Sequence, residues 1–188
     1  MPRLIALSGS LRRQSYNTAL ARALAELAPE GWAVDVVTPL GIPLYDGDLE
    51  ADQGVPEVVT ELKDRIAAAA GLIIVTPEYN QGVPGVLKNA VDWLSRPPAD
   101  IPRVFRARPV AICGASPGGG GTRSAQYAWL PTLRALGVRL YSEHTLLVAG
   151  AGNVISADGR LQDKDIRDRA QALMHGFCTF AEGFIQET

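Results

Sequence analysis

The chain alternates between two kinds of apolar segment, and this alternation limits the folds open to it more than any other feature of its sequence. Short runs rich in branched residues predict strands at 3–8, 32–38, 71–77, 108–115 and 138–148. Helical spacing of apolar residues predicts helices at 17–28, 56–70, 84–95, 122–136 and 163–186. Strands and helices that alternate in this way predict a parallel sheet with helices on both faces.

The strand segments at 71–77 and 108–115 are apolar on both faces, which is typical of central strands covered on each side by helices. Right-handed crossovers leave few topologies for five such strands, and the order 2-1-3-4-5 is the leading one. We therefore predict a single α/β domain over residues 1–188, a flavodoxin-like three-layer sandwich around a five-stranded parallel sheet. Pro131 lies inside the fourth predicted helix and should bend or restart it.

The composition limits the partners that the chain can have. Hydrophobic residues make up 47% of the chain and charged residues 20%, and the net charge is −2. These values predict a globular protein that uses neither nucleic acid nor a membrane as its main partner. The N-terminus lacks the pattern of a signal peptide, and neither Cys113 nor Cys178 belongs to a metal-binding or redox motif. We expect a cytoplasmic protein without a metal site.

The first loop at the carboxyl edge of the predicted sheet, residues 9–17, is rich in hydrogen-bond donors. Ligands of such sheets bind at this edge, where the strand order reverses. The donors are the side chains of Ser10, Arg12, Ser15 and Asn17, and a helix N-terminus follows them. This combination favours a phosphate monoester, whereas the dinucleotide fingerprint GxGxxG and the P-loop lysine are both absent. The alternative for Ser15 or Asn17 alone is a helix cap.

Two further loops lie at the same predicted edge. The sequence after the third strand places Glu78, Tyr79 and Asn80 at the point where the strand order reverses, and a flat heteroaromatic ring can lie against such an insertion. After the fourth strand, Ser116 leads into a glycine run at 118–121, which permits close approach of a ligand to the backbone. The alternative for this run is a flexible surface loop.

A group of arginines follows the third predicted helix, at positions 96, 103, 106 and 108. Two interpretations remain open for them. They are the charged side chains of a solvated loop, or they form a basic rim that attracts the phosphates of a substrate.

Several motifs, in order along nearly the whole chain, resemble those of the NADPH-dependent FMN reductase family. They are GSLRRQSYN at 9–17, IPLYDGDLE at 42–50, PEYNQGVPGVLKNAVDWLS at 77–95, and GGTRSAQY at 120–127 followed by Glu143. The resemblance implies FMN bound without a covalent bond. It assigns the phosphate to Ser10, Leu11, Arg12, Arg13, Gln14, Ser15, Tyr16 and Asn17, and the isoalloxazine to Pro77, Glu78, Tyr79, Asn80, Gln81, Ser116 and Gly118.

The same resemblance implies an oxidoreductase that takes electrons from NADPH or NADH and passes them through FMN to a small acceptor such as a quinone, chromate or an azo dye. The cofactor carries the chemistry, so we assign no catalytic acid or base. Members of the family usually form dimers or tetramers, in which residues like Arg123, Tyr127 and Glu143 face a partner subunit. A flavodoxin-type electron carrier and a flavin reductase that releases reduced FMN to a monooxygenase remain alternatives.

Overall fold

The computed structural model of the chain describes residues 1–185, and its centre is a parallel sheet. The strands run in the order β2-β1-β3-β4-β5, and β6 also pairs with β4. This result confirms the predicted α/β class and strand order. The strands are β1 (Arg3–Ser8), β2 (Ala33–Val37), β3 (Gly71–Val75), β4 (Pro109–Ala115), β5 (Arg139–Leu140) and β6 (Leu146–Val148). Residues 186–188 of the predicted domain, with the predicted end of the last helix at 186, lie outside the described residues.

Helices cover both faces of the sheet and make the three layers. One face packs against α1 and α8, and the other packs against α3, α4 and α6. No helix within residues 1–185 is long and apolar enough to cross a membrane. The helices are α1 (Tyr16–Glu26), α2 (Gly47–Gln53), α3 (Glu57–Ala67), α4 (Gly85–Leu94), α5 (Ile101–Val104), α6 (Arg123–Leu136), α7 (Ala151–Val154) and α8 (Lys164–Ile185).

The central strands are buried because their side chains alternate between the two layers of helices. In β1, Leu4 and Ala6 belong to the core beside α1 and α8, whereas Ile5 and Leu7 belong to the core on the opposite face. Every residue of β3 and β4 is buried. The apolar residues on both faces of these segments are therefore explained by their position between two helical layers.

The fifth predicted strand, 138–148, is wrong as a single element and forms two short strands, so the sheet has six strands within residues 1–185. β5 pairs with the start of β4, and β6 pairs with its end. Between them the Tyr141 ring packs against Phe177 and Phe180 of α8, and its hydroxyl lies 2.6 Å from Nδ1 of His144. The polar residues 142–145 are exposed, because the chain leaves the sheet at this point.

Of the two predicted effects of Pro131, a restart of the helix does not occur, because α6 runs as one element from Arg123 to Leu136. A proline inside a helix leaves the carbonyl group four residues earlier without its usual N–H partner. That carbonyl belongs to Tyr127, and both residues are exposed. Water can therefore satisfy the carbonyl, which lowers the cost of the interruption.

Candidate active site

Hydrogen bonds that extend the strand pairing beyond the strand ends bring the three predicted loops together. The Gly9 N–H donates to the Val75 carbonyl at 2.9 Å, and the Thr76 N–H donates to the Cys113 carbonyl at 2.8 Å. The Ser116 N–H donates to the Val148 carbonyl at 2.9 Å. The loops after β1, β3 and β4 therefore leave adjacent strands at one edge, as the sequence predicted.

Two glycines permit these loops to approach one another. A Cβ atom on Gly9 would lie 2.5 Å from Cδ2 of Leu87 and 2.9 Å from Cδ of Pro77. A Cβ atom on Gly114 would overlap the carbonyl oxygen of Thr76 and the hydroxyl of Thr122. At Gly114 the overlap is with the backbone and no side chain fits, whereas at Gly9 a Cβ atom would require the Leu87 and Pro77 side chains to shift. The absence of a Cβ atom therefore contributes to the spacing of the loops.

The first loop presents hydroxyl groups at the start of α1. The Ser15 hydroxyl accepts a hydrogen bond from the Thr18 N–H at 3.2 Å and caps the helix, whose first turn has no acidic residue. The Ser10 hydroxyl accepts from the Arg12 N–H at 3.3 Å. Because each serine accepts a backbone hydrogen bond, each can still donate its own O–H to a ligand. The side chains of residues 11–14 are exposed.

The Asn17 side chain has a partner that the sequence did not predict. Its Nδ2 atom donates to the Ala115 carbonyl at 2.9 Å, and its Oδ1 atom accepts from the Ala115 N–H at 2.9 Å. Asn17 thus joins the start of α1 to the end of β4, and one amide N–H remains for a ligand. It is not the helix cap that the sequence left as an alternative, because that position belongs to Ser15.

The second loop contains a tight turn with unusual backbone geometry. The Tyr79 and Gly82 backbones exchange hydrogen bonds of 3.2 and 3.0 Å. Between them Asn80 and Gln81 have φ values of 51° and 59°, a conformation that normally favours glycine. Strained turns of this kind cluster at ligand-binding sites. The turn exposes 51% of the Tyr79 side chain at the carboxyl edge of the sheet.

The Glu78 side chain points toward α6 and not along its own loop. Its Oε2 atom accepts a hydrogen bond from the Ala125 N–H at 3.0 Å, in the first turn of that helix. The second loop is therefore joined to the segment that follows the third loop. The sequence predicted Glu78 as a residue of the site, but no feature of the sequence identified its hydrogen-bond partner 47 residues away.

The third loop is held by hydrogen bonds to its neighbours and is not a free surface loop. The Ser116 and Gly118 carbonyls accept from the backbone N–H groups of Ala151 and Gly150, at 3.0 and 3.1 Å. A Cβ atom on Gly118 or Gly119 would meet no atom within 4 Å. The loop therefore has a fixed base and an open upper side. Tyr16 supports the same region, because a Cβ atom on Gly152 of α7 would lie 3.2 Å from its hydroxyl.

The arginines at 96–108 are largely engaged with the protein itself. Nε of Arg96 lies 2.8 Å from Oε2 of Glu50, and this hydrogen bond holds the pKa of Glu50 below its ordinary value. NH1 of Arg103 lies 2.7 Å from Oδ1 of Asp64. Arg108 donates to the carbonyls of Val104 and Ala69 at 2.6 Å, and it precedes β4, at the opposite edge from the three loops. These contacts favour structural roles over a basic rim at the site.

The chain is similar to several reductases over most of its length. It is 41% identical to the NAD(P)H-dependent FMN reductase PA1204 of Pseudomonas aeruginosa over 90% of this chain and 89% of that protein. It is also 41% identical to the 2-hydroxy-1,4-benzoquinone reductase of a Burkholderia species, over 92% of each chain. The solved structure of FerB, a flavoenzyme NAD(P)H:(acceptor) oxidoreductase from Paracoccus denitrificans, superposes with a TM-score of 0.86 at 31% identity, covering 97% of this chain and 98% of that one.

The family comparison agrees with these similarities and with the geometry of the loops. The family model described as NADPH-dependent FMN reductase matches residues 2–153, a range that includes all three loops. The match covers well over half of the chain, and the relatives share its length. This chain therefore belongs to the NADPH-dependent FMN reductase family.

Proposed function

We propose that the protein is an NAD(P)H-dependent oxidoreductase that holds FMN at the carboxyl edge of its sheet and reduces quinones and similar small acceptors. The observation that carries this proposal is the close approach of three loops at Gly9 and Gly114, at the edge of the sheet that also holds the Ser10 and Ser15 hydroxyls and the exposed Tyr79. Family membership and the two reductase relatives support it. Bound FMN would supply two-electron transfer from the nicotinamide to the acceptor.

The first loop fits the phosphate of FMN in charge and in hydrogen bonding. Residues 9–17 contain no carboxylate, and within residues 1–185 Arg12 forms no ion pair. The N-terminus of α1 adds free N–H groups and a partial positive charge. The residues that would hold the phosphate are Ser10, Leu11, Arg12, Arg13, Gln14, Ser15, Tyr16 and Asn17.

The second and third loops fit the ring system. The strained turn exposes the Tyr79 ring, and the open upper side of the third loop leaves backbone groups at Gly118 and Gly119 without covering side chains. The residues that would hold the isoalloxazine are Pro77, Glu78, Tyr79, Asn80, Gln81, Ser116 and Gly118. Glu78 would contribute through its backbone, because its carboxylate is hydrogen-bonded to α6.

The first experiment is a visible spectrum of the purified protein, followed by NADPH and NADH oxidation with a simple quinone present. A yellow protein with quinone-dependent turnover supports the proposal, and the ratio of the two rates gives the nucleotide preference. A yellow protein without nucleotide oxidation identifies an electron carrier instead. Loss of the flavin during gel filtration, with turnover restored by added FMN, identifies a reductase that releases its product. A colourless protein that does not bind added FMN contradicts the proposal.

Arg12→Ala is expected to weaken FMN binding to the apoprotein by about 10- to 100-fold, since a hydrogen bond between charged groups contributes about 1.5–3 kcal/mol. Fluorescence quenching of FMN measures the dissociation constant. Arg22→Ala, on the exposed face of α1, removes the same side chain away from the loop and should leave the constant unchanged. Equal affinities for the wild type and Arg12→Ala would remove Arg12 from the phosphate site.

We also propose that the protein forms a homodimer or homotetramer through the outer face of α6. Tyr127 is 67% exposed, Leu130 and Leu140 lie beside it on the surface, and a cleft of about 260 Å³ opens between α6 and the break after β5. An exposed apolar patch of this kind marks an interaction site. Sedimentation equilibrium should give a mass of two or four chains for the wild type and a lower mass for Leu130→Glu.

We propose a cytoplasmic location because both cysteines are present as free thiols. Cys113 and Cys178 are both free and buried, and burial raises the pKa of each thiol to about 12. Neither thiol is ionised near neutral pH, and neither forms a disulfide bond. A chain stabilised without disulfide bonds is suited to a reducing compartment.

A further inference from the structure

Helix α6 receives no side-chain cap from its N-cap residue, although the N–H of its first residue, Arg123, donates to the Gly120 carbonyl at 3.1 Å. Its N-cap residue, Thr122, has a φ of 68°, and its side chain makes no cap hydrogen bond. The Thr122 hydroxyl instead accepts a hydrogen bond from the side-chain Nε2 of Gln126 at 3.1 Å. The first N–H groups of a helix need partners from outside the helix, and most helices obtain one from the N-cap side chain.

Glu78 supplies that missing cap from another part of the chain. Its Oε2 atom accepts from the Ala125 N–H at 3.0 Å, which is the third residue of α6 and the usual partner of a cap. The negative charge also suits the positive end of the helix. The Oε1 atom faces the third loop, since a Cβ atom on Gly120 would lie 3.8 Å from it.

The position of Glu78 in its own loop gives this hydrogen bond a second consequence. Glu78 lies directly before the strained turn at 79–82, whose left-handed residues hold their conformation only when the surrounding structure fixes them. The bond to Ala125 fixes the start of that turn relative to α6 and the glycine loop at 118–121. The other hydrogen bonds to this segment end at Thr76, two residues earlier: Nε1 of Trp129 in α6 donates to its hydroxyl at 3.2 Å, and its own N–H donates to the Cys113 carbonyl at 2.8 Å.

We propose that Glu78 is a positioning residue for the flavin site, whose carboxylate caps α6 and thereby sets the distance between the two loops that would hold the ring system. It exchanges no proton with the substrate. This inference rests on the proposed function, because a fixed distance between the loops has a use only where a flat ligand lies between them.

The test compares three variants in the apoprotein. Glu78→Ala removes the cap, whereas Glu78→Gln keeps an oxygen that can accept from the Ala125 N–H. Asp163→Ala is the matched control, because Oδ1 of Asp163 caps α8 by accepting from the Ile166 N–H at 2.9 Å. The measurements are the FMN dissociation constant by fluorescence quenching, the midpoint of urea unfolding, and the hydrogen-exchange rate of the Ala125 amide.

We expect Glu78→Ala to weaken FMN binding about tenfold and to speed exchange at Ala125, and Glu78→Gln to restore both to within about threefold of the wild type. Asp163→Ala should lower the unfolding midpoint without changing FMN affinity. The inference is overturned if Glu78→Ala binds FMN as the wild type does, or if Glu78→Gln is no better than Glu78→Ala. A wild-type protein that does not bind FMN would instead contradict the proposed function, so the two failures are distinguishable.

Discussion

Gly114→Ala is expected to lower the free energy of unfolding by about 3 kcal/mol or more and to abolish FMN retention. The added Cβ atom would overlap the Thr76 carbonyl oxygen and the Thr122 hydroxyl, and would lie 3.1 Å from Cγ2 of Thr122. The first of these atoms belongs to the backbone, and the Thr76 N–H is held by the Cys113 carbonyl at 2.8 Å. The overlap between the new Cβ atom and the Thr76 carbonyl can be relieved only by moving the start of the second loop away from β4.

The same substitution at a glycine that has room for a Cβ atom is the control for this experiment. A Cβ atom on Gly119 would meet no atom within 4 Å, so Gly119→Ala should unfold at the wild-type urea concentration. Urea unfolding of both apoproteins measures the difference, and flavin absorbance after gel filtration measures retention. A Gly114→Ala protein that matches the wild type in both measurements would show that the loops do not depend on this close approach.

The sequence predicted the order of the sheet because that order follows from local patterns. Apolar runs at 71–77 and 108–115 indicated the central strands, and the structure buries every residue of β3 and β4. Given the strand order, the rule for parallel sheets placed the loops at 9–17, 77–81 and 116–121 at one edge. Each of these steps uses only residues that are close together in the chain.

The contacts that shape the site were not predictable in this way, because each joins distant residues. Asn17 pairs with Ala115 across 98 positions, and Glu78 pairs with Ala125 across 47. The break between β5 and β6 also depends on a distant residue. Tyr141 lies in this break, and a Cβ atom on Gly176 of α8 would overlap its hydroxyl. Nothing near Tyr141 in the sequence shows that a glycine more than thirty residues later leaves room for its ring.

Of the two side chains that form these distant contacts, Asn17 and Glu78, we expect Asn17 to contribute more to the free energy of unfolding, because both of its hydrogen bonds are buried. The side chain is 4% exposed and satisfies both the N–H and the carbonyl of Ala115. Asn17→Ala leaves these two backbone groups without partners, and each unsatisfied buried group costs about 1–3 kcal/mol. We expect a loss of about 2–4 kcal/mol in the free energy of unfolding, measured by urea titration of the apoprotein at pH 7.

Asn17→Asp is expected to lose at least as much stability at pH 7, about 3–5 kcal/mol, and to regain part of it as the pH falls. A carboxylate can still accept from the Ala115 N–H, but its second oxygen then faces the Ala115 carbonyl, and burial disfavours its charge. Both effects raise the pKa of the new carboxyl group in the folded state above its unfolded value of about 3.9. The protonated form can donate to the Ala115 carbonyl, so the stability that this hydrogen bond contributes is fully present below the unfolded pKa and is lost as the pH rises through the folded pKa.

Unfolding midpoints between pH 4 and pH 8, taken relative to the wild type, should therefore fall with rising pH for Asn17→Asp and stay level for Asn17→Ala. Parallel curves for the two variants would show that the amide does not donate to Ala115 in solution.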